Sequence, residues 1–266
     1  MKIKVAIAGA RGRMGSTAIE AIEAAEDAEV VAALDYKYDG LHLHNGIINE
    51  EKLGIPIFTS LSQLCEEHQP AVLLDVTDPD AVFNNVKEAL SLGIHPVVGT
   101  SGLTKQELDS IIEMVESTHI GGIIAPNFSI GAVLMMKFAA QAARYLGDVE
   151  IIEMHHDRKL DAPSGTAVKT VEMIKENRPS HIQGHPEEQV HLEGARGADV
   201  EGMKIHSVRL PGLLAHQQVL LGGEGELLTI RHDSFDRKSF MPGIMMAIRK
   251  VIGRNDLVYG LENIID

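Results

Sequence analysis

The chain has 266 residues and is 44% hydrophobic, so it can form one large or two medium domains with a sizeable core. Its formal net charge of −14 disfavours nucleic acid and membranes as partners, and it contains no Trp on which bases could stack. The single cysteine excludes an internal disulfide and fits a reducing compartment. Because no signal-peptide pattern or membrane-length apolar run is recognisable, we expect a cytoplasmic protein.

The first predicted elements are a buried strand at 2–8, a glycine-rich turn, GARGRMG at 9–15, and a helix from Ser16. Strand, glycine-rich turn and helix together are typical of a dinucleotide-binding fingerprint, in which the backbone approaches a pyrophosphate at the helix N-terminus. The glycine spacing is G-x-x-G-x-x-G rather than the commonest G-x-G-x-x-G. A glycine turn without a ligand is the alternative interpretation.

A second predicted strand, 29–34, ends at Asp35, which lies 20 positions after Gly15. This is the usual place of the acid that hydrogen-bonds the adenosine ribose. Lys37 could instead meet a 2′-phosphate, so the sequence gives a mixed signal on NADH and NADPH. Tyr36 is a candidate for stacking on adenine or a plain surface tyrosine.

Strands and helices continue to alternate up to residue 126, as a parallel sheet requires. We predict strands at 71–76, 95–98 and 122–125, helices at 80–92 and 105–117, and a loop, a short strand and a helix within 39–70. The turn GTSG at 99–102 follows a strand end, where open α/β sheets bind ligands. It either borders a nicotinamide or is an ordinary connecting loop.

The segment EMHHDRKLDAPSGTA at 153–167 concentrates cationic side chains in an acidic protein. His155, His156, Arg158 and Lys159 follow a predicted strand, and Ser164 precedes a predicted helix. Because a helix N-terminus binds carboxylates, the segment predicts an anion site with proton donors. A solvated basic tail is the alternative. Adjacent strand residues point to opposite faces, which argues against a metal ion held by both histidines.

The second half of the chain has a different pattern, with predicted strands at 204–210, 217–222 and 227–231 in an antiparallel or mixed sheet. We expect 177–202 to be a long loop whose histidines are surface residues. The predicted domains are a dinucleotide-binding domain at 1–126 and a substrate-binding and oligomerisation domain at 127–238. A C-terminal helix within 239–266 is predicted to pack back on the first domain.

Taken in order, the motifs resemble the 4-hydroxy-tetrahydrodipicolinate reductase family, formerly dihydrodipicolinate reductase. The matching segments are GARGRMG at 9–15, GTSG at 99–102, APNFSIG at 125–131, EMHHDRKLDAPSGTA at 153–167, HSVRLPGLLAHQ at 206–217 and RHDSFDR at 231–237. The run HH-x-x-K-x-D-A-P-S-G-T is the most specific of them. Ser101 departs from the family, which commonly has Thr there. Tyr36 does so too, since some members carry a basic residue at that position.

The resemblance implies a Rossmann-like parallel-sheet domain plus an α+β domain. It also implies NADH- or NADPH-dependent reduction of a cyclic imine dicarboxylate, with loss of water, in lysine and diaminopimelate synthesis. His155 would be the proton donor and acceptor and Lys159 the proton donor, while His156, Gly165 and Thr166 would bind the substrate carboxylates. The residues implied to line the cofactor are Gly9, Ala10, Arg11, Gly12, Arg13, Met14, Asp35, Gly99, Thr100, Ser101, Ala125, Pro126, Asn127 and Phe128. The family is typically a homotetramer assembled through the sheet of the second domain.

Three other functions are compatible with parts of this pattern. A Rossmann oxidoreductase for semialdehydes would need an active-site thiol, but Cys65 lies in a helical pattern of the first domain, far along the chain from 155–166. An NAD(P)-sensing regulator would not need proton donors such as His155 and Lys159. A hydrolase using Ser164 would be expected to carry a G-x-S-x-G motif, which is absent there.

Overall fold

A computed structural model describes residues 2–179 and 181–265, which divide into two compact units. Unit one runs to Phe128 and resumes at Phe240, and unit two is Ser129–Ser239. The assignment of dinucleotide binding to one unit and substrate binding to the other stays a prediction at this stage.

Unit one is built from strands and helices that alternate along the chain. Its strands are β1 (Ile3–Ala8), β2 (Ala28–Leu34), β3 (His42–His44), β4 (Ile47–Asn49), β5 (Ile55–Phe58), β6 (Val72–Asp75), β7 (His95–Val98), β8 (Gly122–Ile124) and, after the excursion through unit two, β14 (Leu257–Tyr259). Its helices are α1 (Arg13–Glu23), α2 (Leu61–His68), α3 (Pro79–Ser91), α4 (Lys105–Thr118) and α7 (Met241–Val251).

The sheet of unit one has the strand order β14-β8-β7-β6-β1-β2-β5-β3-β4 and is mostly parallel. β1 pairs in parallel with β2 on one side and β6 on the other, so the chain reverses its direction of winding at β1. Such a reversal opens a crevice at the carboxyl ends of the two strands, where doubly wound sheets bind ligands. The predicted Rossmann-like fold class is confirmed.

The local sequence accounts for these elements. All four residues of β6 are buried, as expected for a parallel strand covered on both faces. Helices α2, α3 and α4 each begin behind a polar cap, because Ser60, Asp78 and Thr104 accept backbone N–H groups of the first turn. Their apolar stripes then complete the core against the sheet.

Two sequence predictions for unit one need correction. Residues 39–70 contain three strands rather than one, because the segment before β5 folds back as the short antiparallel hairpin β3–β4. The helix predicted within 239–266 is present as α7, which ends at Val251 ahead of Gly253 at a φ of +76°, but the strand that follows it was not predicted. β14 then adds a parallel strand beside β8.

Unit two has a five-stranded sheet in its described residues, with the order β10-β11-β9-β12-β13. Its strands are β9 (Asp148–His155), β10 (Ala198–Val200), β11 (Met203–Arg209), β12 (Ala215–Gly223) and β13 (Glu226–Ser234). β9 and β11 are parallel while the other neighbours are antiparallel, so the predicted mixed sheet is confirmed. Contrary to the predicted loop at 177–202, β10 lies within that segment.

Helices α5 (Ile130–Ala142) and α6 (Gly165–Lys175) complete unit two. Val149 and Ile151 on β9 stand beside Leu221 and Val219 on β12, and all four are fully buried. One step further along the same face, Glu153 stands beside Gln217. The core therefore ends in a polar layer, and this layer positions the candidate site described below. No helix in the described ranges has the length and apolar content needed to cross a bilayer.

Candidate active site

Unit one carries a cleft of about 480 Å³ at the crevice between β1 and β6. Gly9, Arg11 and Gly12 line it from the turn after β1. The end of β2 and the segment after β6 complete it, and the remaining lining residues are Leu34, Asp35, Tyr36, Thr59, Val76, Thr77, Asp78, Ala81, Asn85 and Glu88.

The glycines of the turn are needed for close backbone approaches. Gly9 has a φ of +84°, and a Cβ there would lie 2.7 Å from the carbonyl oxygen of Val76. A Cβ on Gly15 would lie 2.2 Å from the carbonyl oxygen of Gly9, so the turn packs directly on the first turn of α1. Helix α1 has no side-chain cap at Gly12. Its N-terminus thus carries the partial positive charge suited to a phosphate ligand.

Asp35 sits at the end of β2, and its carboxylate is held by Arg11. Arg11 Nε lies 2.6 Å from Asp35 Oδ2, and Nη2 lies 3.0 Å from Oδ1. Hydrogen bonding to Asp35 raises the pKa of the Arg11 guanidinium above its usual value. Lys37, by contrast, places its ammonium 4.8 Å from the ring centroid of Tyr36. The sequence identified each of these residues separately but not the Arg11–Asp35 pair.

A fully buried carboxylate, Asp75, ties together two loops beside the cleft. It accepts hydrogen bonds from Thr77 Oγ1 at 2.7 Å, Thr100 Oγ1 at 2.8 Å and Asn85 Nδ2 at 2.8 Å. Thr77 follows β6 and Thr100 follows β7, so the network fixes the relative positions of two strand ends. Sequence analysis did not single out Asp75, although a carboxylate at the end of a buried apolar strand is a recognisable signal.

The other predicted cofactor residues lie along the same edge of the sheet or at the start of α1. Gly99, Thr100 and Ser101 follow β7, and Ala125 to Phe128 follow β8. The Phe128 ring packs against Gly99, where a Cβ would come within 3.0 Å of it. Ala10 is buried in the turn, while Arg13 and Met14 open α1. These residues border the cleft region without belonging to the lining of the cleft itself.

Unit two carries its own candidate site, where β9 ends at His155. Glu153 and His155 lie two positions apart on one face of the strand, and His155 Nδ1 is 2.6 Å from Glu153 Oε2. From β11, Arg209 reaches the same carboxylate with two hydrogen bonds of 2.8 and 2.7 Å. A histidine and an arginine thus share one buried carboxylate.

Glu153 is ionised in this arrangement. Burial would raise its pKa, but hydrogen bonds from His155, Arg209 and Ser207 outweigh burial and lower the pKa to about 2. Hydrogen bonding to Glu153 in turn raises the pKa of Arg209. The carboxylate can therefore only accept hydrogen bonds near neutral pH, and its neighbours must donate.

Helix α6 begins beside this cluster. Ser164 is its N-cap and accepts the backbone N–H of Ala167, while the Ser164 N–H donates to Glu153 Oε1 at 3.2 Å. Gly165 is exposed as the first residue of the helix, with open space where a Cβ would stand, and Thr166 is half-buried. The first turn is thus open to an anion at the position predicted from the sequence.

The loop between His155 and α6 carries the remaining predicted residues. Lys159 Nζ donates to Asp161 Oδ1 at 2.8 Å, and Arg209 Nη2 donates to the Asp161 carbonyl oxygen, also at 2.8 Å. His156 is half-buried, and its Nδ1 has no hydrogen-bond partner. Unit two therefore brings His155, His156, Lys159, Gly165 and Thr166 into one short segment around the α6 N-terminus.

Glu153 and Arg209 are the functional candidates that sequence analysis missed in unit two. Glu153 had a usable signal, because residues two apart on a strand share a face. Arg209 had none in the local sequence, since its position depends on the parallel register of β11 with β9, in which Arg209 stands beside His155. Within 2–179 and 181–265, no three His, Cys, Asp or Glu side chains are grouped as a metal site would require.

Comparisons with known proteins agree with this architecture. The family descriptions "Dihydrodipicolinate reductase, N-terminus" and "Dihydrodipicolinate reductase, C-terminus" match residues 3–128 and 131–265. The 4-hydroxy-tetrahydrodipicolinate reductases of Lysinibacillus sphaericus and of a Bacillus cereus strain are 56% and 54% identical to the chain. These alignments cover all of this chain and 100% and 99% of the relatives.

Solved structures give the same result. A dipicolinate-bound dihydrodipicolinate reductase from Paenisporosarcina sp. TG-14 matches with a TM-score of 0.90 and 53% identity over the full length of both chains. A probable dehydrogenase from Thermotoga maritima matches with a TM-score of 0.66 at 13% identity, covering 98% of this chain and 92% of the other. At that identity, the second likeness supports the fold alone.

Proposed function

The chain belongs to the dihydrodipicolinate reductase family, and we propose that it reduces 4-hydroxy-tetrahydrodipicolinate to tetrahydrodipicolinate with NADH or NADPH. The reaction belongs to the lysine and diaminopimelate pathway. The proposal rests on one arrangement in the segment 155–166. The His155 ring is hydrogen-bonded to the Glu153 carboxylate, and it lies next to the open N-terminus of α6. Such a site suits a dicarboxylate that must also receive a proton.

The residues of unit one fit a nicotinamide dinucleotide. At Gly9 the turn packs so closely on the backbone of Val76 that a side chain would not fit, and α1 begins at this glycine-rich turn without a side-chain cap. Asp35 and Arg11 would meet the adenosine ribose, and Gly99, Thr100, Ser101 and 125–128 would border the nicotinamide. When bound, the reduced cofactor supplies a hydride.

The protein's own residues supply binding and proton transfer. Gly165 and Thr166 offer the N–H groups of the α6 first turn to one substrate carboxylate, and His156 adds a further contact. His155 and Lys159 are the proton donors. Asp161 accepts a hydrogen bond from Lys159 Nζ at 2.8 Å, which orients the amino group that would donate the proton.

The proposal also covers the cofactor preference, the oligomeric state and the cellular location of the protein. Asp35 favours a free ribose hydroxyl, whereas the Arg11 guanidinium suits a 2′-phosphate, so we infer that both NADH and NADPH bind. The homotetramer and the cytoplasmic location stay predictions, supported by the family resemblance and by the composition.

The proposal is tested by adding freshly prepared substrate to the protein with NADH or NADPH and following loss of the reduced nicotinamide absorbance. We expect substrate-dependent oxidation with at least one cofactor, and competitive inhibition by dipicolinate against the cyclic substrate. If neither cofactor is consumed by the folded protein, the proposed reaction is wrong.

A further inference from the structure

Glu153 is a fully buried carboxylate of unit two that the proposed reaction leaves without a role. Besides Ser207 on β11, its oxygens accept from four donor groups on three different segments. Oε2 accepts from His155 Nδ1 at 2.6 Å and Arg209 Nη1 at 2.8 Å. Oε1 accepts from Arg209 Nη2 at 2.7 Å and the Ser164 N–H at 3.2 Å.

Four donors around one carboxylate dictate where the protons lie. An ionised carboxylate has acceptor oxygens only, so the histidine nitrogen that faces it must carry hydrogen. His155 is therefore held with hydrogen on Nδ1, and Nε2 is the nitrogen left for exchange with a ligand. The partner of one ring nitrogen commonly fixes the role of the other in this way.

We propose that Glu153 is a positioning residue, which fixes the tautomer and ring orientation of His155 so that Nε2 delivers the proton in the reduction. In the step, the imidazolium gives its Nε2 proton to the substrate and keeps its Nδ1 proton on the Glu153 hydrogen bond, leaving a neutral imidazole. Arg209 holds the carboxylate in place from β11. The catalytic effect of Glu153 rests on the proposed function, whereas its effect on the His155 tautomer does not.

The same carboxylate also supports the carboxylate-binding turn. It holds the N–H of Ser164, the N-cap of α6, while Arg209 holds the carbonyl of Asp161 in the preceding loop. Beside Glu153, Gln217 Nε2 donates to Thr170 Oγ1, which donates to the Thr166 carbonyl oxygen, each at 2.7 Å. The buried carboxylate of Glu153, at the polar end of the sheet, thus aligns both His155 and the α6 N-terminus.

β9 offers a matched control for this role. Glu150 also accepts hydrogen bonds from one histidine and one arginine, His206 at 2.9 Å and Arg196 at 2.8 Å. It lies three positions from Glu153, on the other face of the strand and outside the candidate site. Glu150→Gln therefore changes the same kind of cluster without touching His155.

The first measurement uses the unmodified protein without ligands. Nitrogen-15 NMR of labelled histidine, assigned with His155→Asn, reads which ring nitrogen of neutral His155 carries hydrogen. We expect hydrogen on Nδ1 and none on Nε2. A His155 ring with hydrogen on Nε2 would overturn the inference, and this result is independent of whether the protein reduces any substrate.

The second measurement compares Glu153→Gln with Glu150→Gln. An amide at 153 must direct its NH₂ toward donors, and His155 is the only one of His155, Arg209 and the Ser164 N–H that can become an acceptor. We therefore expect the NH₂ to face His155, so that His155 loses the Nδ1–H form and kcat falls by about 10²-fold. The Kd for NAD(P)H should stay within about twofold, and Glu150→Gln should retain both the His155 tautomer and kcat. If folded Glu153→Gln keeps kcat within about twofold, Glu153 has a structural role only. If Glu153→Gln does not fold, the His155 tautomer measured in the unmodified protein decides whether the inference stands.

Discussion

Arg11 and Asp35 form a bidentate ion pair at the edge of the unit-one cleft, so the charge that a bound ribose would meet there depends on both residues. With the pair intact, we expect the Kd values for NADH and NADPH to differ by no more than about tenfold, which corresponds to ~1.4 kcal/mol of binding free energy. Arg11→Ala should weaken NADPH binding more than NADH binding, by about tenfold or more. The reason is that the substitution removes a cation and exposes an anion to the 2′-phosphate.

Calorimetric titration of each cofactor measures this preference. Lys87→Ala on α3 is the control for a general loss of positive charge, because its ammonium lies over the Phe83 ring rather than in the cleft. Equal loss of NADH and NADPH affinity in Arg11→Ala would show that Arg11 does not discriminate at the ribose.

Lys159 is presented to the site by Asp161, and its removal should affect turnover rather than cofactor binding. We expect Lys159→Ala to lower kcat by about 10²-fold or more, as for loss of a general acid, with the NAD(P)H Kd unchanged. Lys175→Ala is the matched control, since Lys175 pairs with Glu201 at the surface. Steady-state kinetics with turnover near that of the unmodified protein would remove Lys159 from the chemistry.

At the scale of single elements, the first turn of α6 is expected to bind a substrate carboxylate. Thr166→Val keeps the shape of the side chain but removes its hydroxyl. We expect the KM for the dicarboxylate to rise by the equivalent of about 1.5–3 kcal/mol, the range for hydrogen bonds to charged groups. The NAD(P)H Kd should not change.

The control for Thr166→Val is Thr118→Val, which removes a hydroxyl that bonds back to Met114 on α4 in unit one. If Thr166→Val loses cofactor affinity and keeps the substrate KM, the two ligands have been assigned to the wrong segments.

The loops after β6 and β7 depend on Asp75. Asp75→Asn places an NH₂ group among three side-chain donors, so at least one of them must reorient to accept or lose its buried hydrogen bond. We expect the free energy of unfolding to fall by about 1–3 kcal/mol and NAD(P)H to bind more weakly. Urea unfolding and calorimetry measure the two effects. Asp109→Asn, an exposed change on α4, should alter neither.

The sequence was sufficient for the elements whose signals are local. The glycine turn, the acid after β2 and the hydroxyl cap of α6 depend on neighbouring residues, so their patterns predicted the dinucleotide-binding fold and the start of α6. The hairpin β3–β4 and the strand β14 were missed because each of these strands has three residues. That is too short to show the alternation of apolar and polar residues that identifies a strand. The Glu153–Arg209 pair was missed because only the tertiary register of β11 creates it.

At the scale of the whole molecule, Glu153 makes stability depend on pH in a defined direction. Its folded-state pKa, about 2, is below the ordinary value near 4.3. Its contribution to the free energy of unfolding is therefore complete above that ordinary value and is lost as the pH falls toward 2. We expect the stability difference between the unmodified protein and Glu153→Gln to be large at neutral pH and to shrink through this window.

Urea unfolding of both proteins across that pH range checks the dependence. Glu107→Gln is a useful comparison, because Glu107 also has a lowered pKa, through hydrogen bonds from Thr104, but is only partly buried in a capping box. A stability difference for Glu153→Gln that is constant with pH would mean that Glu153 is not ionised in the folded protein.

We propose that this chain transfers a hydride to a cyclic imine dicarboxylate bound by the segment 155–166. The most direct measurement is turnover with NAD(P)H carrying deuterium at the transferable position, followed by mass spectrometry of the product. We predict tetrahydrodipicolinate with one deuterium at C4 of the ring, and its formation slowed about 10²-fold by His155→Ala. Product without deuterium, or oxidised cofactor without reduced product, would contradict the claim.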